Sequence, residues 1–129
     1  MNLRCPIKTD YVISCRFAEK YDNWIAVLLK HRDHDGIDFA CPAGTKVYGS
    51  SMSGEWVCRI GTDSNGQSYV ITYVLTENNN VFFLLYRHLQ NIKVKLGDFI
   101  NGSEVGEVAL NHCHYGVYGA VDPAKYLLK

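Results

Sequence analysis

The chain lacks an excess of charge: thirteen basic and thirteen acidic side chains cancel. No whole-molecule field draws it to nucleic acid or to an anionic surface, and nucleic-acid binding is not expected. Lys93 and Lys95 make a small basic spot that reads as the solvated face of a strand. The sequence also lacks any apolar run near the roughly 20 residues of a membrane-spanning helix, so no membrane span is expected. Residues 1–10 carry no hydrophobic core of a secretory signal, so synthesis in the cytoplasm and delivery by another component are expected. Cysteines stand at positions 5, 15, 41, 58 and 113, odd in number and with no Cys-x-x-Cys pair. That is not a disulfide framework; it suits a reducing compartment during synthesis, with most thiols acting as small buried hydrophobes. The helical zinc-protease motif His-Glu-x-x-His is missing too.

What is present describes an ordinary globule of 129 residues, 47% hydrophobic and 20% charged. No linker or low-complexity stretch divides it, so residues 1–129 are expected to form one domain. Many short β-rich runs, few helix caps and no strand–helix alternation predict an all-β fold, an antiparallel sandwich or open barrel of short strands. Residues 24–29 form a short apolar run that reads as strand by length and composition, while its period alone does not distinguish it from helix. The clearest hairpin joins residues 68–75 to 81–86 through Glu77-Asn78-Asn79-Asn80, both arms being β-branched and aromatic. Its second arm should deliver His88 at its end. Residues 42–49 and 95–102 echo one another: each is a glycine turn, a short strand and a second glycine turn. Residues 122–127 read as a terminal turn or a single helical turn.

Three short stretches concentrate the histidines. In His34-Asp35-Gly36-Ile37-Asp38 an imidazole and a carboxylate flank a glycine, ahead of an apolar strand and a Pro/Gly turn. Helix is disfavoured there by glycine, β-branching and proline. A straight strand would hold His34 and Asp38 roughly 13 Å apart, so both can bind one ion only if the chain bends near Gly36. Nitrogen, oxygen and a bend fit a zinc site; the competing reading is a turn whose Asp caps the backbone. His112-Cys113-His114 projects two imidazoles from one face of a strand, about 6.5–7 Å apart. Cys113 then points to the opposite face, away from any metal. His88 follows the apolar run Leu85-Tyr86-Arg87, and by alternation Arg87 projects away from it.

Together with residues 94–108, which precede the last of them, these three stretches resemble the lysostaphin-type (LytM-type) zinc endopeptidases of bacterial cell walls. The resemblance covers roughly residues 11–127. It implies a duplicated hairpin architecture, with Zn2+ held by His34, Asp38 and His114 and with His88 and His112 as catalytic histidines beside the fourth position. Two neutral imidazoles there can take a proton from water and stabilise an oxyanion. The expected function is zinc-dependent hydrolysis of peptidoglycan peptide cross-links at the cell wall or periplasm. The expected setting is a bacteriophage lysin or a virion-associated hydrolase, with virion or tail proteins as partners. The alternatives are a non-catalytic wall-binding or hydrolase-activating module of the same fold, and a purely structural virion protein.

The neighbouring residues have plainer readings: Asp33 and Asp35 cap the loop or face solvent, His31 has no assigned role, and Tyr86 and Tyr115 pack a strand. One departure from the family pattern precedes the last motif. Only residues 107–111 separate Gly106 from His112, where a glycine- and threonine-rich loop is usual, and Tyr115-Gly116 replaces the usual Phe-Glu. So short a connection should leave one wall of a substrate groove low and make turnover depend on wide contact with cross-linked wall.

Overall fold

The computed structural model of the chain describes residues 3–9, 11–15, 36–75, 81–117 and 127–128. The described elements are all strands: β1 (Leu3–Arg4), β2 (Val12–Cys15), β3 (Ile37–Ala40), β4 (Lys46–Tyr48), β5 (Glu55–Thr62), β6 (Ser68–Leu75), β7 (Val81–Gln90), β8 (Phe99–Ile100), β9 (Glu104–Val108), β10 (His112–Val117) and β11 (Leu127–Leu128). Nine of them form one antiparallel sheet in the order β2-β3-β10-β7-β6-β5-β8, with β9 pairing both β7 and β4. β1 and β11 pair separately and in parallel. Among the described residues no helix is long and apolar enough to cross a membrane.

The all-β antiparallel reading therefore holds, and the hairpin of β6 and β7 is its backbone. Alternation does the sorting. On one face of the central strands Ile37, Phe39, Val70, Leu84, Tyr86, Cys113 and Tyr115 are buried. Val47, Val105 and Val108, from β4 and β9, join them with Leu3 and Ile7 in a single apolar cluster. Cys113 is fully buried on this face, as alternation predicted, and its thiol pKa is pushed up by burial. Tyr86 and Tyr115 pack there with ring centroids 5.4 Å apart.

The echo between residues 42–49 and 95–102 is a structural one. In each, a β-turn closes through an i+3 amide, Thr45 N–H to Pro42 O at 3.2 Å and Asp98 N–H to Lys95 O at 3.1 Å. Gly44 and Gly97 occupy equivalent places with φ of 89° and 87°, a region costly to a residue with a Cβ. Each glycine also donates its amide to a neighbouring strand, Gly44 to Val108 O and Gly97 to Val57 O, both at 2.8 Å.

Two expectations need correction. The second hairpin arm does not end at Tyr86 but runs to Gln90, so His88 lies inside β7. Alternation also breaks at that residue. Tyr69 pairs Arg87 and Ser68 pairs Leu89, which leaves His88 as the extra residue of a bulge, with φ of 66°. Residues 16–35, which include the predicted 24–29 strand, and the hairpin turn 76–80 lie outside the described residues, as does 122–126 of the predicted terminal turn.

Candidate active site

β3, β10 and β7 lie side by side and set the site. The register pairs Asp38 with His114, His112 with Ala40, and His114 with Arg87. Directly paired residues share a face, so Asp38, His112, His114 and Arg87 all project from the face opposite the core. A regular strand would have turned His88 inward with Tyr86. The bulge instead brings its ring to 4.7 Å from that of His112 and 6.3 Å from that of His114, centroid to centroid. Bulges beside active sites commonly re-aim a side chain in this way. Arg87 consequently does not point away from His88: Asp63 Oδ2 stands 3.8 Å from Arg87 Nη2 and 3.8 Å from His88 Nδ1.

Of the predicted site residues, Asp38, His88, His112 and His114 are thus brought together, while His34 lies outside the described residues, as do His31, Asp33 and Asp35. Among the described residues no group of three His, Cys, Asp or Glu side chains could by itself hold a metal ion. The pair that is described fits such a role. His114, 5% exposed at its side chain, meets Asp38 Oδ1 through Nδ1 at 2.9 Å. The backbone at Gly36 is pressed against His114 and Tyr115. A Cβ built on Gly36 would fall 2.9 Å from His114 Nε2 and 2.3 Å from Tyr115 O. Glycine is needed there for close approach of the backbone. Nitrogen and oxygen donors of this kind suit zinc.

His88 is half-buried, and its pKa is lowered to about 4. Burial is the main cause, followed by the charges of His112, Arg87 and His114, with Asp63 pulling the other way. At neutral pH the ring is therefore uncharged, with one N–H and one lone pair. Its Nδ1 lies 2.7 Å from Gln67 Oε1, and His112 Nδ1 lies 2.7 Å from Asn111 Oδ1. Neither amide was singled out in the sequence, nor was Asp63. A glutamine in the turn before a strand has no local signature, and its partner is found only once β6 and β7 are paired.

The connection next to His112 is shorter than the sequence implied. Glu107 and Val108 belong to β9, so only residues 109–111 connect to β10. That reversal is pinned by Ala109 N–H to His88 O at 2.9 Å and Cys41 N–H to Asn111 O at 3.0 Å, while Leu110 is exposed.

The described residues thus form an antiparallel sheet with a histidine and carboxylate cluster on the face opposite the core. The chain belongs to Peptidase family M23, whose match covers residues 32–122. It is 29% identical over 87% of its length to the peptidoglycan DD-endopeptidase ShyA of Vibrio cholerae, and spans 26% of that protein. Helicobacter pylori Csd3 superimposes on the whole chain with a TM-score of 0.74 and 25% identity, 34% of Csd3 being covered. A zinc-containing peptidase from Vibrio cholerae shares the fold over 91% of this chain and 36% of its own, with a TM-score of 0.71 and 23% identity. The chain thus spans about a quarter to a third of the length of these proteins.

Proposed function

We propose that the chain is a zinc-dependent endopeptidase that hydrolyses peptide bonds in bacterial peptidoglycan. The observation that carries this reading is the convergence of Asp38, His88, His112 and His114 on one face, with the backbone at Gly36 close against His114. Membership of family M23, and a relative named as a peptidoglycan endopeptidase, support the substrate class.

In this proposal His34, Asp38 and His114 hold the metal, and His88 and His112 are the catalytic residues. When bound, zinc would supply Lewis-acid polarisation of the scissile carbonyl and a water acidified toward neutral pH. The chain's own residues do the rest. His88, neutral at working pH, has a free ring nitrogen with which to accept a proton from the attacking water. The proton taken up by His88 is then available to the departing amine, and His112, half-exposed and beside it, lines the same position. The three-residue connection 109–111 keeps one side of the site low, which admits branched, cross-linked peptides. Less contact with a short linear peptide means less binding energy to be used at the reacting bond.

The test is release of new amino termini from purified peptidoglycan by the zinc-loaded protein, read together with turnover of a cross-linked muropeptide and its matching linear peptide. Release that disappears on chelation and returns with zinc supports the reading. Absence of any release from the reconstituted protein rejects it, and equal turnover of the two soluble substrates rejects the role given to the low wall.

A further inference from the structure

His88 sits in a bulge with a left-handed backbone, so the regular ladder does not by itself fix the direction of its ring. What fixes it comes from another part of the chain. The loop between β5 and β6 is closed on itself: Asp63 N–H donates to Gln67 O at 2.9 Å and Gly66 N–H to Asp63 O at 3.0 Å. Asp63 Oδ1 in turn accepts from Asn65 N–H at 3.0 Å and from Gln67 N–H at 3.2 Å. Gln67 is therefore held as a rigid mount at the start of β6. Its side chain crosses to the bulge, where Oε1 lies 2.7 Å from His88 Nδ1.

An amide oxygen can only accept, so this contact requires the hydrogen to be on Nδ1. The Asp63 carboxylate, 3.8 Å from the same nitrogen, favours an N–H there for electrostatic reasons. The lone pair is then on Nε2, the ring nitrogen not engaged by the loop. His112 has a similar contact to Asn111, but that one joins sequence neighbours and is exposed to water. The Gln67 contact is partly buried and spans 21 residues of chain.

We propose that Gln67 is a positioning residue: it holds His88 in the Nδ1–H tautomer and at the angle that presents Nε2 to the substrate. This rests on the reading of His88 as the proton acceptor. Partners that orient a site histidine through its second nitrogen typically matter by about 10- to 100-fold when removed.

The experiment uses Gln67→Met, which keeps length but removes the acceptor, and Gln67→Glu, which keeps an acceptor at the same reach. Each is compared with wild type, and Gln67→Met is also placed in a His88→Ala background. Turnover of a soluble cross-linked muropeptide is measured with zinc content, and the His88 tautomer is read from imidazole 15N shifts in the metal-free protein. Gln67→Met should lower kcat by about 10- to 100-fold with KM and zinc content kept. Gln67→Glu should recover most of the loss, and Gln67→Met should cost nothing further once His88 is alanine. The 15N shifts should show Nδ1–H in wild type and a shift toward Nε2–H in Gln67→Met. Unchanged kcat in Gln67→Met, a further loss in the His88→Ala background, or an Nε2–H tautomer in wild type would overturn the proposal. A wild-type protein that cleaves nothing would overturn the endopeptidase reading instead, and the tautomer measurement would still decide what Gln67 does.

Discussion

Strands β7 and β10 carry polar side chains on both faces, and the two faces treat them in opposite ways. Inward, Tyr86 and Tyr115 are fully buried and join Ser50, Ser51, Thr72 and Glu55 in one network. The Tyr86 hydroxyl donates to Glu55 Oε1, as does Thr72 Oγ1 at 2.9 Å, and Ser51 N–H donates to Oε2 at 2.8 Å. Ser50 Oγ stands between the phenols, 2.5 Å from that of Tyr115 and 3.2 Å from that of Tyr86. Burial pushes the Glu55 carboxyl pKa up, against the pull of those donors and of the Arg4 charge. Outward, His88 and His112 each use one ring nitrogen on an amide. Their other nitrogen remains for chemistry. A saturated network fixes a floor, whereas groups with spare lone pairs, held from behind, make a site.

Exchanging the roles of the two faces by mutation should fail in characteristic ways. Outward, His88→Ala and His112→Ala should each lower turnover by roughly 10²–10⁴-fold, with thermal stability near wild type. Steady-state kinetics beside a melting curve would show it, and a large fall in melting temperature would place these residues in the fold rather than in the chemistry. Inward, Glu55→Ala should do the reverse. Three buried donors lose their acceptor, at about 1–3 kcal/mol each with partial relaxation, so a total of about 3–5 kcal/mol is expected in urea unfolding. A loss under 1 kcal/mol would mean that water or a rearranged Ser50 replaces the carboxylate.

A smaller effect separates the bulge from the ring it carries. His88 has φ of 66°, which any residue with a Cβ adopts at a cost. His88→Gly should therefore be about 1 kcal/mol more stable than His88→Ala while being equally inactive. Equal stability would mean that the bulge relaxes when the imidazole goes. A further effect concerns pH. The folded-state pKa of His88 lies near 4, against 6.5 without the fold. Between those values the unfolded chain binds the proton and the native one does not, so stability is full above about 6.5 and declines as pH falls toward 4. Metal-free wild type should show that decline more strongly than metal-free His88→Ala. Identical slopes would remove His88 as its source.

Much of this was legible beforehand because period-2 alternation is local. Cys113 could be sent inward and His112 and His114 outward from three residues alone, and the β6–β7 hairpin followed from its β-branched arms. The glycine echo was visible because a left-handed turn leaves its mark at single positions, Gly44 and Gly97. What could not be read was non-local or irregular. The bulge at His88 breaks alternation without a glycine to announce it, which is why Arg87 was sent to the wrong side. Glu55 looked like an ordinary strand residue; its partners come from the 49–54 turn, β6 and β7, and only packing reveals them. Gln67 and Asp63 were hidden for the same reason.

Zinc stoichiometry across five proteins bears most directly on the division between ligands and catalytic histidines. Purified and reconstituted wild type, His88→Ala and His112→Ala should each hold one zinc per chain, whereas Asp38→Ala and His114→Ala should hold none. A wild-type chain that takes up no zinc, or an His112→Ala variant that loses it, would contradict the assignment.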